Sequence, residues 1–290
     1  MGIFESIVSR EFIDKGWSGD RKYRAVCGNG DVYLLRISPA ETLEMRRALW
    51  GVLQDVQRLD VSMSRSLEMG ECDEGVYFVQ EWVDGNDAEE FVPTLPAERQ
   101  YALGYDAGEI LKKLHSLPAP DDIPDWSDRF GKKARRKIEG YRKCPVKFAG
   151  DEAVVRYVEE NLHLIEGRPQ VFQHGDYHIG NMMVSDGKIV VIDFDRFDYG
   201  DPWEEFNRIV WCAQAAPEFA RGMVDGYFSG NVPEVFWRLL KLYICSNMLS
   251  SLPWAIPFGQ AEVDVMLRQA AEIMEWYDGM KNNVPSWYMC

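Results

Sequence analysis

One predicted β-hairpin constrains this chain more than any other feature, because it brings separated polar residues to the same end of two strands. The segment reads NMMVSDGKIVVID, with Asp186 and Gly187 between two apolar runs. An Asp-Gly pair between such runs favours a two-residue hairpin turn. With that turn, Asn181 falls opposite Ile192 and next to Asp193, at the open end of the hairpin. The sequence therefore predicts an amide and a carboxylate in close proximity.

This pair of oxygen donors has the chemistry of a magnesium site. Asn181 offers an amide oxygen and Asp193 a carboxylate, and Mg²⁺ prefers hard oxygen ligands while it keeps several waters. Asp176 lies shortly before Asn181 on the entering loop, where a carboxylate can orient a hydroxyl nucleophile. Positioning, a metal on the phosphates and a base or orienting group are the parts that phosphoryl transfer requires.

The same loop permits other interpretations. His174, Asp176 and His178 alternate in the segment HGDYH, and histidine and aspartate are common ligands of zinc and other transition metals. A zinc hydrolase is thus one alternative. A polar hairpin end without chemistry, at Asn181 and Asp193, is another.

The remaining sequence predicts an α+β protein of two parts. Residues 1–84 are strand-rich: KYRAV and VYLLRI flank the turn CGNGD, and GVYFVQEWV has the composition of a buried strand. Helical periodicity covers 39–59 and dominates beyond Gly85. We expect a β-rich domain over 1–84 and a mostly helical domain over 85–290. The longest helical patterns run through Trp203–Phe228, Pro233–Ser250 and Ala261–Met280.

Composition and charge indicate the cellular compartment and exclude some classes of binding partner. The net charge is −15 at pH 7, so we expect no nucleic-acid partner, because phosphate backbones repel such a surface. The sequence has neither a signal peptide nor an apolar run of about 18 residues, so we expect no membrane partner. The six cysteines lie far apart without a C-x-x-C pair, as suits free thiols. We therefore expect a cytoplasmic protein.

Two motifs carry a family resemblance. HGDYHIGN, which has the form H-G-D-x-x-x-x-N, precedes IDFD at a typical separation. Together they are similar to the signature of the aminoglycoside phosphotransferases, which are related to choline, homoserine and fructosamine kinases. The segments GWSGDRKY, YLLRIS, YFVQEWVDG, LKKLHSL and GDPWEEFNR extend the resemblance along the chain. The resemblance implies a bilobal protein-kinase-like fold with a hinge at about residues 80–86.

The resemblance also implies a role for particular residues. Asp176 is the catalytic aspartate, and Asn181 and Asp193 hold Mg²⁺. The resemblance places Ser18 and Gly19 over the phosphates of ATP or GTP. It places the backbones of Gln80 and Trp82 at the edge of the nucleotide base. His174 is expected to fix the loop.

Three positions depart from the family pattern. Arg36 stands in LLRIS where the family usually has a phosphate-binding lysine, and arginine binds phosphate with a different geometry. The usual lysine partner is a helix glutamate, for which Glu44 is the better candidate and Glu41 the alternative. Asp195 stands where protein kinases have glycine. If the segment is extended, Asp195 points the same way as Asp193 and contacts metal, substrate or only solvent.

The resemblance implies a Mg²⁺-dependent kinase that phosphorylates a hydroxyl of a small, cationic substrate, first of all an aminoglycoside antibiotic. Glu204 and Glu205, with Asp195, are candidate contacts for substrate amines, although acids also stabilise the start of a helix. The alternatives are a metabolic kinase for choline, an amino alcohol or a sugar amine, and a kinase-like binding protein without turnover.

Overall fold

The chain folds into two compact units. The structure is a computed structural model that describes residues 2–14 and 19–289. The first unit comprises the residues up to Ala88 together with Asn181–Asp195, and the second comprises Glu89–Gly180 and the residues from Arg196 onwards. The segment Asn181–Asp195 thus belongs with the N-terminal residues, whereas the predicted division after residue 84 assigns it to the C-terminal part.

A five-stranded antiparallel sheet organises the first unit. Its strand order is β1-β2-β3-β5-β4. The strands are β1 (Ile7–Ile13), β2 (Arg21–Cys27), β3 (Val32–Ser38), β4 (Ser66–Cys72) and β5 (Gly75–Glu81). Small and branched side chains of its central strands, Ala25, Leu35, Ile37 and Val79, form one core cluster. Helix α1 (Leu43–Gln57) buries Leu49, Leu53 and Val56, which helical spacing puts on one face.

The predicted hairpin forms with the predicted register. Strand β8 (Met182–Ser185) pairs with β9 (Lys188–Val191), and Ser185 lies opposite Lys188. Asp186 and Gly187 both have positive φ, of 50° and 74°, as a type I′ turn requires. The two-residue strand β6 (Asn86–Asp87) adds to the other edge of β8. The hairpin prediction is confirmed.

Helices make up most of the second unit. They are α2 (Ala88–Phe91), which begins at the unit boundary, α3 (Ala97–Leu114), α4 (Trp126–Lys143), α5 (Asp151–Asn161), α6 (Ile209–Ala215), α7 (Pro217–Phe228), α8 (Glu234–Ala255), α9 (Gln260–Trp276) and α10 (Ser286–Met289). A two-stranded sheet joins β7 (Val171–Gln173) to β10 (Asp198–Gly200). The predicted α+β class, with an antiparallel N-terminal sheet and a larger helical portion, is confirmed.

The continuous helix expected over Trp203–Phe228 is wrong. Ala216 is extended, with φ −154° and ψ 93°, and separates α6 from α7. The residue after it is Pro217, and proline disfavours the helical conformation of the residue that precedes it. Before α6, Glu204–Arg208 form a 3₁₀ helix.

Helices α3 and α7 approach so closely that their backbones touch. Each carries two glycines four residues apart at the contact, Gly104 and Gly108 on α3 and Gly222 and Gly226 on α7. A Cβ on Gly108 would collide with the carbonyl oxygen of Met223. The glycines are therefore required by packing, even though glycine weakens a helix.

We predict that Gly108→Ala destabilises the protein by about 1–3 kcal/mol, because the added methyl overpacks the α3–α7 contact. Gly140→Ala is the matched control: Gly140 also lies in a helix of this unit, and a Cβ there meets nothing within 4 Å. The control should gain up to about 1 kcal/mol from helix propensity. Denaturant unfolding of both variants measures the difference, and a Gly108→Ala variant as stable as Gly140→Ala would refute the packing argument.

Candidate active site

Arg36 is the centre of a buried charge cluster in the first unit. It lies on β3 with its side chain 7% exposed. Its Nε and Nη2 donate to Asp20 Oδ2 at 3.2 and 2.9 Å, and its Nη1 donates to Asp193 Oδ1 at 3.3 Å. Nη2 also donates to Asp195. One guanidinium thus joins Asp20 to Asp193 and Asp195, which lie far from it in sequence.

A second arginine, Arg46 of α1, closes the cluster. Its Nη2 donates to both oxygens of Asp20, at 2.7 and 2.8 Å, and its Nη1 donates to Asp195 Oδ1 at 2.9 Å. Lys22 Nζ lies 3.9 Å from Asp193 Oδ2 at the margin. Two buried cations are therefore bridged by carboxylates, as burial of charge demands.

The expected partnership of Arg36 with Glu44 is wrong. Glu44 is 85% exposed and pairs with Arg47 at 2.9 Å. Two residues along a helix correspond to a rotation of about 200°, so Glu44 and Arg46 point to opposite sides of α1. The helix contributes an arginine, where the family pattern has a glutamate.

The electrostatics of Arg36 follow from this arrangement. Burial alone would lower the pKa of the guanidinium, but Asp195, Asp193 and Asp20 together raise it above its ordinary value. Arg36 therefore stays positively charged.

The two predicted magnesium ligands meet at the open end of the hairpin. The backbone N–H of Ile192 donates to the carbonyl of Asn181 at 3.0 Å, which puts Asn181 alongside Asp193 as the register predicts. Asp193 has φ 64°, a left-handed conformation that aspartate tolerates better than most residues. The segment is thus not extended at Asp193. Its carboxylate and that of Asp195 nevertheless converge, because both bind Arg36.

The residues predicted to contact the nucleotide occupy different environments. Ser18 lies outside the described residues, and Gly19 is exposed, directly before the buried Asp20. Gln80 is buried on the inner strand β5, and its Nε2 donates to Ser66 Oγ at 3.1 Å. Trp82 is half-buried, with the guanidinium of Arg24 5.6 Å from its ring centroid.

Asp176 lies among three basic side chains of the second unit. Its Oδ1 is 3.1 Å from Arg208 Nε and 3.8 Å from His178 Nε2, and its Oδ2 is 3.4 Å from Arg196 Nη1. Burial alone would raise the pKa of Asp176, but the hydrogen bond from His178 and the charges of Arg208 and Arg196 hold it well below its ordinary value. Asp176 is therefore an anion at neutral pH.

A buried glutamate holds the backbone of the Asp176 loop. Glu205 is 1% exposed and accepts from the N–H of Gly175 at 3.0 and 3.2 Å. His174 is fully buried, and its Nδ1 accepts from the N–H of Asp176 at 3.3 Å. Gly175 has φ 84°, and a Cβ there would collide with the carbonyl of Arg196. The sequence HGD is thus a rigid turn, and the predicted framing role of His174 agrees with its position.

The two predicted substrate contacts, Glu204 and Glu205, differ in how far they are buried. Glu205 is inside the core, so its assignment to substrate is wrong: it supports the loop. Glu204 is partly exposed and lies 3.6 Å from Lys133 Nζ and 3.3 Å from Gln173 Nε2. Its carboxylate is already paired with a cation.

A transition-metal site finds no support in this geometry. Nδ1 of His174 and Nδ1 of His178 each accept a backbone N–H, from Asp176 and Gly180. Across residues 2–14 and 19–289, no group of three histidine, cysteine, aspartate or glutamate side chains is arranged to hold a metal ion.

The sequence interpretation named Arg36 but missed Arg46 and the two arginines beside Asp176. Arg46 shares the buried face of α1 with Leu49, Leu53 and Val56, so helical periodicity was a usable signal for a buried cation. Arg208 follows GDPWEEFN within the family-like segment, but nothing in its spacing shows that it reaches Asp176. Arg196 follows directly after Asp195.

The comparisons with known proteins agree with the fold and the motifs. Residues 9–237 match the phosphotransferase enzyme family, APH. The chain belongs to this family. The resemblance predicted from the HGD and DFD motifs is therefore confirmed. Among proteins with curated descriptions, none matches the sequence significantly.

Solved structures with the same fold are aminoglycoside phosphotransferases at low sequence identity. ADP-bound APH(2'')-Ib has a TM-score of 0.64 at 18% identity, covering 93% of this chain and 97% of that one. The gentamicin complex of APH(2'')-IIa has a TM-score of 0.64 at 17% identity, covering 92% of each chain. A thermostable mutant of APH(4)-Ia with ADP and hygromycin B has a TM-score of 0.63 at 17% identity, covering 92% and 96%. At such identities the likeness establishes the fold alone.

We predict that Arg46→Met destabilises the first unit by about 3–5 kcal/mol, because it removes one of the two arginines that neutralise Asp20 and Asp195. Arg47→Met is the matched control, since Arg47 is 56% exposed and its ion pairs lie at the surface. It should change stability by no more than about 1 kcal/mol. Denaturant unfolding measures both, and adding Asp195→Asn to Arg46→Met should recover part of the loss. Equal effects of the two arginine substitutions would contradict the charge cluster.

We also predict that Arg208→Gln raises the pKa of Asp176 towards the ordinary value of about 3.9. Because the folded-state pKa is depressed, Asp176 stabilises the fold above its unfolded-state pKa and loses that contribution as the pH falls through the folded-state value. Carboxyl-carbon NMR titration measures the midpoint in each protein. Arg142→Gln is the control, since Arg142 pairs with Glu159 at 2.8 Å. An unchanged Asp176 midpoint in Arg208→Gln would refute the contact.

Proposed function

We propose that this protein is a Mg²⁺-dependent kinase that transfers the γ-phosphoryl group of ATP or GTP to a hydroxyl of a small molecule. The observation that carries the proposal is the ionised, rigidly held Asp176 in a chain whose hairpin also brings Asn181 and Asp193 together. Because the chain belongs to the phosphotransferase family, we assign these three residues to phosphoryl transfer.

Asn181 and Asp193 are the residues that would hold the magnesium ion. They supply one amide and one carboxylate, the hard oxygen donors that suit Mg²⁺. Asp193 is oriented by Arg36, so its position depends little on the metal. The bound ion would neutralise charge on the nucleotide phosphates.

Arg36 takes the place of the usual phosphate-binding lysine. A guanidinium presents a planar set of donors, and Arg36 already uses several of them on Asp20, Asp193 and Asp195. Its proposed role is to fix the metal-binding aspartate as well as to attract the phosphates. Gly19, Ser18, Gln80 and Trp82 remain predicted nucleotide contacts. The exposed Glu44 is no longer needed as the partner of Arg36, because carboxylates supply the balancing charge.

Asp176 would accept a hydrogen bond from the acceptor hydroxyl and direct the oxygen towards the γ-phosphorus. The new P–O bond forms as the bond to the bridging oxygen of the nucleotide breaks, and the hydroxyl proton passes to the Asp176 carboxylate. The low pKa of Asp176 makes it a weak base. That suits a loose transition state, in which positioning contributes more than early proton removal.

The identity of the acceptor is a separate question. Structurally similar proteins have been solved with ADP, gentamicin or hygromycin B. The ADP complexes support a nucleotide co-substrate. The predicted aminoglycoside acceptor rests on the same resemblance and stays a prediction, as do resistance to antibiotics and the alternative of a metabolic kinase. A binding protein without turnover is disfavoured. The two departures from the family pattern, Arg36 and Asp195, form an ion pair, so each compensates the charge of the other.

In the described part of the chain, none of the helices is both long enough and apolar enough to cross a membrane. The cytoplasmic location remains a prediction.

We predict that Asp176→Asn lowers kcat by about 10²–10⁴-fold, the usual contribution of a positioned proton acceptor, while the Kd for Mg-ATP changes little. ADP release and product mass, measured with kanamycin, choline, glucosamine and glucose 6-phosphate as candidate acceptors, give the rate. Asp122→Asn, at an exposed loop position, should behave as the unchanged protein does. Near-normal turnover of Asp176→Asn would remove the catalytic assignment.

A further inference from the structure

Helix α4 carries a concentration of positive charge that the rest of the protein lacks. Its sequence, WSDRFGKKARRKIEGYRK, has eight basic and two acidic residues, within a chain whose net charge is −15. Several of its cations stand three or four positions apart, including Lys132 with Arg136 and Lys133 with Lys137. Like charges at these spacings destabilise a helix. Folding alone does not explain why this helix keeps them.

The basic residues border a cavity of about 270 Å³ in the second unit. The buried rings of Trp126 and Phe130 line part of it, and Lys132, Lys133 and Arg136 line another part. A cavity with an aromatic wall and a cationic side has the composition of a binding site for a small molecule.

Acidic side chains neutralise only part of this positive charge. Arg129 is paired with Asp198 at 2.9 Å, and Lys133 lies 3.6 Å from Glu204. For Lys132 and Arg136, the residues that the structure describes include no carboxylate within 4.0 Å. The cavity therefore keeps an excess of positive charge.

The same excess acts on Lys137, one turn beyond Lys133. Burial and the charge of Lys133 lower the pKa of Lys137 to about 7, with Arg208 and Arg136 contributing and Glu204 opposing. An anion in the cavity would relieve this repulsion.

A path of ion pairs connects the cavity with Asp176. Lys133 contacts Glu204, which belongs to the same 3₁₀ helix as Arg208, and Arg208 Nε is 3.1 Å from Asp176. Arg196 adds a second, mostly exposed guanidinium beside Asp176. The 3₁₀ helix Glu204–Arg208 thus links the cavity to the residue that would orient the acceptor.

We propose that the acceptor is a small hydroxyl compound that carries a phosphate or carboxylate group, bound by Lys132, Lys133 and Arg136. This inference rests on the proposed kinase function. Trp126 and Phe130 would contact the carbon skeleton of the same molecule, while its hydroxyl reaches Asp176. A cationic acceptor, as predicted from the family resemblance, would be repelled by these side chains, and the predicted amine contact Glu205 is buried.

Matched sugars test the charge of the acceptor. Glucose, glucosamine, glucose 6-phosphate and glucuronate are each incubated with the protein and Mg-ATP, with kanamycin as the aminoglycoside. Product mass records transfer, and NMR titration without nucleotide records binding. We expect the anionic sugars to bind more tightly than glucose and glucosamine, and an anionic sugar to be phosphorylated in preference.

Charge reversal locates the site. Lys132→Glu combined with Arg136→Glu should weaken binding of the anionic sugars at least about tenfold, since it replaces two charge-assisted contacts by repulsion. Arg142→Glu combined with Lys143→Glu makes the same charge change at the far end of α4 and should leave the affinity unchanged. Thermal unfolding checks that both variants are folded.

The outcomes separate this inference from the proposed function. Preferred phosphorylation of glucosamine or kanamycin overturns the anionic acceptor and leaves the kinase intact. Anion binding that is sensitive to Lys132 and Arg136, without transfer to any compound, supports the anion site and counts against the kinase. Absence of anion binding, or tighter binding of a single-stranded oligonucleotide than of every sugar, overturns the inference.

Discussion

The first unit depends on the balance of buried charge around Arg36. A guanidinium that is almost fully buried is tolerable only when carboxylates surround it, and Asp20, Asp193 and Asp195 do so. These carboxylates would repel one another in turn, and Arg46 from α1 bridges two of them. The departures from the family pattern are therefore linked. In this chain α1 contributes Arg46, and Asp195 of the DFD segment balances its charge.

In the second unit, too, a charged side chain is surrounded by groups of opposite charge. Asp176 is the anion, and His178, Arg196 and Arg208 surround it. The backbone that carries it is fixed separately, by the buried Glu205 beneath Gly175. Orientation and ionisation of Asp176 thus have different causes. A substitution of a surrounding arginine should alter the pKa of Asp176 while the loop keeps its shape.

The sequence predicted local backbone geometry better than it predicted which side chains contact one another. The Asp-Gly turn determined the hairpin register, because side chains alternate along a strand and a two-residue turn leaves one pairing. Pro217, within the helical pattern Trp203–Phe228, was an available signal, yet periodicity alone concealed the break at Ala216. Partners such as Arg208 for Asp176 depend on the path of the chain between them, which no spacing rule records. The family pattern pointed to a glutamate partner for Arg36, Glu44 or Glu41, although periodicity places Arg46 on the buried face of α1.

The acceptor shows how far a family resemblance extends. The metal and nucleotide chemistry requires a few residues in fixed relation, so motifs identify it. In the proposed kinase, side chains of the helical unit would select the acceptor, and α4 of that unit carries eight basic residues. A total charge of −15 attracts a distant cationic molecule only weakly, because salt screens charges beyond about 10 Å. Near Asp176 the charges that matter are those of adjacent side chains, and Arg196 and Arg208 lie beside it. Together with the basic residues of α4 they support the proposed anionic acceptor.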